Sequence, residues 1–237
     1  MSNTFLRAGW RKLVMANYAV DPAVLKDHVP YKTELDLWNN TCYVSLVGFM
    51  FVDTTVMGLK IPFHVNFEEV NLRFYVRCKD GHEWKRGVVF LKEIVPRAVL
   101  AWVANTVYRE RYEALSMRHT WEASDENLRI TYGWKKGTWH TLQVTTSSQG
   151  LAIAPGSEEE FITDHYWGYT QVGPEKTSEY RVEHPAWEVY KTKAYKIDVD
   201  FGKVYGEAFG FLSQQKPTSV FLAEGSAIAV NHGKRIT

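Results

Sequence analysis

The sequence predicts a mainly β protein: a closed or nearly closed antiparallel β-barrel with a few inserted helices. Three observations lead there. Segments in which apolar and polar residues alternate with period two recur along most of the chain. Clusters rich in Ser, Asn, Asp and Gly separate several of them at hairpin spacing. Only two or three stretches keep a helical period, and a sheet of many strands loses its exposed edges most simply by closing on itself. There is no internal repeat, no Ser/Gly/Pro-rich linker and no break in composition, so residues 1–237 are expected to form one domain.

Asp21-Pro22 reads as an N-cap followed by proline at the first helical position, opening a short helix through Val24, Leu25 and His28 that ends before Pro30. Cys42 to Asp53 alternates as a long strand, and Phe67 to Arg77 alternates more cleanly. Gly87 to Val95 is a valine-rich strand. After Pro96 the spacing of Leu100, Val103, Ala104, Val107 and Tyr108 is helical. Hairpins are expected at 124–127, 135–137 and 147–150. Asp200 caps a helix through Val204, Tyr205, Ala208 and Phe209, with Pro217 beyond it, and Gly202, Gly206 and Gly210 suggest close packing onto a sheet. A strand from Ser219 to Val230 comes last.

Composition narrows the function. The chain is 45% hydrophobic and 14% aromatic, which requires a packed core and excludes a disordered tail. Lys plus Arg number 28 against 27 for Asp plus Glu, a net charge of +1, so no global field recruits nucleic acid or anionic lipid. The longest apolar stretch, Tyr43 to Val52, has strand length and cannot span a bilayer. The first residues lack the apolar core of a secretory signal, and Cys42 and Cys78 have no disulfide or metal spacing; together these predict a cytoplasmic protein. No metal motif, nucleophile elbow or glycine-rich phosphate cradle occurs, so no metal and no cofactor are expected.

Chemistry is expected from charges placed on strands that otherwise read as buried. In Phe67 to Arg77 one face carries Val70, Leu72, Phe74 and Val76, and the other Glu69, Asn71, Arg73, Tyr75 and Arg77. That second face is either a solvated outer wall, with an ordinary Glu69–Arg73 ion pair, or the lining of a ligand cavity. Glu224 sits in a strand apolar on both faces unless a bulge at Gly225 turns it out, and a buried carboxylate needs a partner or a raised pKa. Lys92 and Glu93 interrupt an apolar strand, and one of them must face whatever that strand covers. Lys92 there would be an amine whose pKa burial depresses, a nucleophile for a carbonyl; the plainer alternative is a strand end emerging into solvent before Pro96.

The stretches Phe67–Val76, Arg86–Pro96 and Ser219–Ala227, with Asn17-Tyr18, Asp21-Pro22, Tyr43–Phe49 and His165-Tyr166-Trp167-Gly168-Tyr169, resemble the YqjF-like family of uncharacterised bacterial proteins over essentially the whole length. That family is similar, more remotely, to the acetoacetate-decarboxylase-like superfamily. The resemblance implies a cone-shaped antiparallel barrel with its site inside. It also implies strand glutamates, an arginine, and a lysine after a helix that forms a Schiff base with a keto acid. This chain departs at the last point, because the segment from Tyr108 to His119 contains no lysine and an arginine cannot replace an amine nucleophile.

The leading expectation is therefore a cavity that binds a small carboxylate or carbonyl compound. Arg73 or Arg118 would hold its anionic group, Glu69 and Glu224 would orient or protonate it, and Tyr43, Tyr112, Tyr166 and Ser226 would line the wall. The second is a lyase using Lys92 as nucleophile with Glu224 or Glu69 as general acid and base. The third is a structural or partner-binding protein with a filled core, its nine tryptophans packing core and interface, which leaves room for a homo-oligomer.

Overall fold

A computed structural model describes residues 4–62, 64–97 and 111–237. Its strands are β1 (Thr4–Val20), β2 (Thr33–Leu35), β3 (Cys42–Val56), β4 (Phe67–Asp80), β5 (Glu83–Val95), β6 (Tyr112–Ala114), β7 (Ser116–Ala123), β8 (Asn127–Lys136) and β9 (Thr138–Ala152), followed by helix α1 (Glu158–Thr163). Then come β10 (Trp167–Gly173), β11 (Lys176–Glu183), β12 (Glu188–Asp198), helix α2 (Phe201–Tyr205), β13 (Ser219–Ala223), β14 (Ala227–Asn231) and β15 (Lys234–Ile236). The helix expected from Leu100 to Tyr108 lies outside the described residues.

The hydrogen-bond ladder runs β14-β11-β10-β5-β4-β3-β1, and β1 pairs back onto β14 through its first half, so these strands form a nearly closed ring. The second half of β1 pairs instead with β13, from which β12, β9, β8 and β7 continue as an arm. The arm packs its apolar side chains on the outer face of the ring. Trp134, Tyr132, Leu142 and Val144 of β8 and β9 join Val70, Leu72, Phe74 and Val76 of β4 in one core, all fully buried. Each such side chain contributes roughly 1.5–3 kcal/mol by leaving water. A second core fills the ring itself, with Met15, Val47, Phe49, Phe51, Phe67, Tyr75 and Val88. The strands of the ring are thus apolar on both faces wherever no inward polar group interrupts them.

Most expected elements are present, with instructive exceptions. The Asp21 carboxylate accepts from the Ala23 N–H at 2.8 Å and opens a 3₁₀ segment, Pro22–His28. No hairpin forms at 147–150: β9 runs through it, Gly150 facing Tyr190 while Thr146 faces Thr192, so the polar stretch is a bulge. The helix capped by Asp200 stops after Tyr205, where Gly206 turns to φ +109°, and a 3₁₀ segment follows. Gly202 and Gly210 pack against each other between these two short pieces, rather than onto a sheet. Helix α1 is under two turns long, too short to show a helical period; the Ser157 hydroxyl caps it by accepting from the Glu160 N–H at 3.2 Å, and the Glu160 carboxylate accepts from the Gly156 N–H at 2.7 Å.

The last strand is broken. Residues 224–226 leave the ladder between β13 and β14, with Gly225 at φ +81° and its α-carbon close enough to Trp10 that a β-carbon would lie 2.2 Å from the Trp10 carbonyl. The break also exchanges faces: Leu222 belongs to the outer core, and Ile228, three pleats on, to the inner one. Among the described residues no helix is long and apolar enough to cross a membrane.

Candidate functional site

The ring encloses a cavity of about 160 Å³. An engineered apolar cavity of roughly 150 Å³ takes a benzene ring, so the volume suits a small organic molecule. Its polar end is built chiefly by β4. Alternation sends Glu69, Asn71 and Arg73 inward while Val70, Leu72 and Phe74 pack outward. Of the two meanings that polar face could have, it is the wall of a cavity. The Glu69–Arg73 ion pair is absent among the described residues, because positions four apart on a strand stand roughly 13 Å apart. Glu69, 2% exposed, accepts instead from the Asn71 side-chain amide at 2.9 Å and from the Tyr112 hydroxyl at 3.4 Å.

A bulge decides which charge of β5 enters. Val88 and Phe90 line the cavity, opposite Tyr75 and Arg73, and strict alternation would bring Lys92 in after them. The register slips between Leu72 and Arg73, so that Lys92 faces Leu72 and Glu93 faces Asn71. Glu93 therefore lines the cavity and Lys92 points away from it. The Lys92 ammonium donates to the Val204 carbonyl at 2.6 Å and pairs with Glu113 at 3.1 Å, alongside Lys136 at 2.8 Å from the same carboxylate. Burial lowers the Lys92 pKa against the pull of Glu113. The amine stands on the face away from the cavity, so an imine with a molecule in this cavity is beyond its reach.

Among the described residues, Arg73 is the arginine or lysine that lines the cavity. It is 8% exposed, and among the described residues its guanidinium makes one hydrogen bond, from Nη2 to the Ile162 carbonyl at 3.4 Å, and lies 5.6 Å over the Tyr75 ring. Its Nε is buried without a hydrogen-bond partner, and none of the ion pairs among the described residues involves it. His165 also packs against the Tyr75 ring, 4.7 Å between centroids, with the Phe161 ring at 5.0 Å from the imidazole. The His165 Nε2 donates to Asp36 at 3.1 Å, and Arg86 Nε donates to the same Asp36 oxygen at 2.7 Å. Burial pushes the His165 imidazole down to about 4, against the pull of the Asp36 carboxylate that accepts its hydrogen bond. Burial would raise the Asp36 carboxyl, but the hydrogen bonds from His165 and Arg86 hold it below its usual range.

The other end of the cavity is aromatic. Trp10 meets Phe49 edge-on at 5.5 Å and Phe51 at 6.1 Å, Phe51 stacks on Phe67 at 4.7 Å, and His184 stacks on Trp187 at 4.3 Å. The site thus joins a charged, hydrogen-bonding end to an apolar one.

Of the residues singled out in the sequence, the structure brings Glu69, Arg73 and Tyr112 to the cavity. Glu224 lies in the break between β13 and β14, where it bonds the Lys12 ammonium at 2.5 Å and the Tyr190 hydroxyl on the outer side of the ring. The bulge at Gly225 turned it out. Arg118 lies on β7, its guanidinium 4.1 Å over the Trp139 ring, in the arm. Tyr43 donates to Glu158 at 3.2 Å, and burial with that carboxylate pushes its phenol up to about 12. Tyr166 donates to Asp164 at 3.1 Å and meets the His184 ring at a tilt, 4.7 Å between centroids. Ser226 accepts from the Trp187 indole at 2.9 Å, one layer behind the cavity wall. Asp36 and His165 were not legible as a pair, since 129 residues separate them and the acid beside His165 in sequence, Asp164, bonds Tyr166 instead. Among the described residues no group of three or more His, Cys, Asp or Glu side chains could hold a metal ion.

Comparison with known proteins agrees with this fold. Acetoacetate decarboxylase from Legionella pneumophila superposes with a TM-score of 0.68 at 10% identity, covering 100% of this chain and 90% of that one. The enduracididine biosynthesis enzyme MppR, in its complex with pyruvate, gives 0.69 at 13% identity over 100% of this chain and 92% of that one. At such identities the likeness is one of fold. The uncharacterized protein YqjF of Bacillus subtilis (strain 168) is 29% identical over 114 residues, which span 48% of this chain and 46% of that protein. A model of the uncharacterized conserved protein family DUF2071 matches residues 7–227, nearly the whole length, and the chain belongs to that family.

Proposed function

We propose that this protein binds a small organic acid in the ring, its carboxylate held by Arg73 and its apolar body by the Trp10, Phe51 and Trp187 end. The observation that carries this reading is the state of Arg73: a buried guanidinium with one long hydrogen bond and an unpartnered Nε. A permanent cation removed from water without a carboxylate is costly, and a bound anion is the group that offsets the cost with a forked pair of charge-assisted hydrogen bonds. The pyruvate complex of the structurally similar MppR is in keeping with a small acid in this fold.

A direct test uses the indole fluorescence of Trp10 and Trp187 during titration with 3-phenylpropanoate and with its uncharged amide. The acid is expected to bind at least tenfold tighter than the amide, and Arg73→Met to abolish the difference, since a charged hydrogen bond contributes about 1.5–3 kcal/mol. Equal binding of acid and amide, or an acid preference that survives Arg73→Met, would refute the reading.

A further inference from the structure

Two polar atoms of the cavity wall are fixed as acceptors by carboxylates behind them. Asn71 gives its amide nitrogen to Glu69 at 2.9 Å, an acceptor-only partner, so the amide can be oriented only one way and Oδ1 is left over. His165 gives Nε2 to the Asp36 carboxylate at 3.1 Å, which places the ring proton on Nε2 and leaves Nδ1 with its lone pair. Both Asn71 Oδ1 and His165 Nδ1 are buried without a hydrogen-bond partner among the described residues, in side chains that line the same cavity. The His165 side chain is 1% exposed. Arg86 braces Asp36 from the far side at 2.7 Å, so the acceptor state of His165 is built into the fold.

We infer that the ligand carries, beside its carboxylate, a hydroxyl group that donates to one of these acceptors, His165 Nδ1: it is a hydroxy acid with an apolar body, rather than a keto acid or a plain carboxylate. The inference rests on the reading that Arg73 holds the carboxylate. Arg73 and His165 both stand against the Tyr75 ring, which puts the anion holder and the acceptor on one wall. A keto oxygen brought to Asn71 Oδ1 and His165 Nδ1 would meet lone pairs with lone pairs, and a methylene would leave both acceptors unpaired. A hydroxyl proton satisfies one of them. The charged groups that act on His165 are Asp36, Arg86 and Arg73; the two arginines favour the neutral ring, and burial keeps it neutral down to a pH of about 4. Asp36 is here a positioning residue and His165 a ligand-binding one.

The test compares 3-phenyllactate, phenylpyruvate and 3-phenylpropanoate by the same fluorescence titration. The expected order puts phenyllactate about tenfold tighter than either of the others, the worth of one well-made buried hydrogen bond against an unpaired acceptor. His165→Phe is expected to cut that preference about fivefold. Equal affinities for the three acids in the wild type would overturn the inference and leave the carboxylate reading standing. If none of the acids bound, the carboxylate reading itself would fall. A measurement on the unaltered protein covers the case in which His165→Phe does not fold. ¹⁵N NMR of the histidine side chains should find the His165 proton on Nε2 and Nδ1 perturbed when 3-phenyllactate is added; a proton on Nδ1 would refute the assignment.

Discussion

Replacing Arg73 by methionine should make the protein more stable while removing its capacity to bind an acid. The arithmetic follows from what Arg73 touches. Its one hydrogen bond, 3.4 Å to Ile162, is long and contributes about 1 kcal/mol or less, and the 5.6 Å approach to the buried Tyr75 ring adds about 1–2 kcal/mol. Against these stands the effective penalty of keeping a guanidinium that is 8% exposed out of water, several kcal/mol for an ion without a counter-charge. Methionine keeps much of the apolar stem and adapts its shape, so about 1 kcal/mol or more of net stabilisation is expected, or roughly 2–4 °C in Tm for a chain of this size. Calorimetry or circular dichroism without ligand would measure it. A fall in Tm of the same size would refute the reasoning, because it would mean that the folded protein already satisfies the charge.

Three further outcomes are expected. With the His165 pKa at 6.5 when unfolded and about 4 when folded, the unfolded chain binds the extra proton between those values, so stability falls as pH drops through that window. At 1.36 kcal/mol per pH unit the loss attributable to this ring approaches roughly 3 kcal/mol, and denaturant titrations of His165→Phe should show a flatter profile from pH 6.5 to 4 than the wild type. Lys92→Met should cost no more than about 1 kcal/mol, because Glu113 keeps Lys136 at 2.8 Å, and it should leave acid binding unchanged; borohydride trapping of an adduct dependent on Lys92 would contradict the placement of that side chain. Gly225→Ala should destabilise by about 2 kcal/mol or more, since the residue holds φ +81° and its new carbon meets the Trp10 carbonyl, and an unchanged denaturation midpoint would count against the bulge.

The alternation of β4 revealed the site from sequence alone, because two faces with such different chemistry can be read directly from period two. Arg73 and Glu69 were found that way. The same rule misplaces Lys92 and Glu224, and for one reason: a single unpaired residue reverses every face beyond it, and neither the slip before Arg73 nor the break at Gly225 changes the composition of the strand around it. Gly225 was at least a warning. The Asp36–His165 pair could not be read, since it depends on which loops the closed ring brings together. The closing of the ring was legible only as a preference for hidden edges, and the arm that covers its outer face was not, because β12 and β9 look like any other half-buried strands.

The account stands most directly on where an acid sits. A crystal structure of the protein with 3-phenyllactate should place the carboxylate within hydrogen-bond reach of the Arg73 guanidinium, the hydroxyl against His165 Nδ1, and the ring among Trp10, Phe51 and Trp187. A carboxylate bound outside the cavity, or turned away from Arg73 within it, would contradict the account.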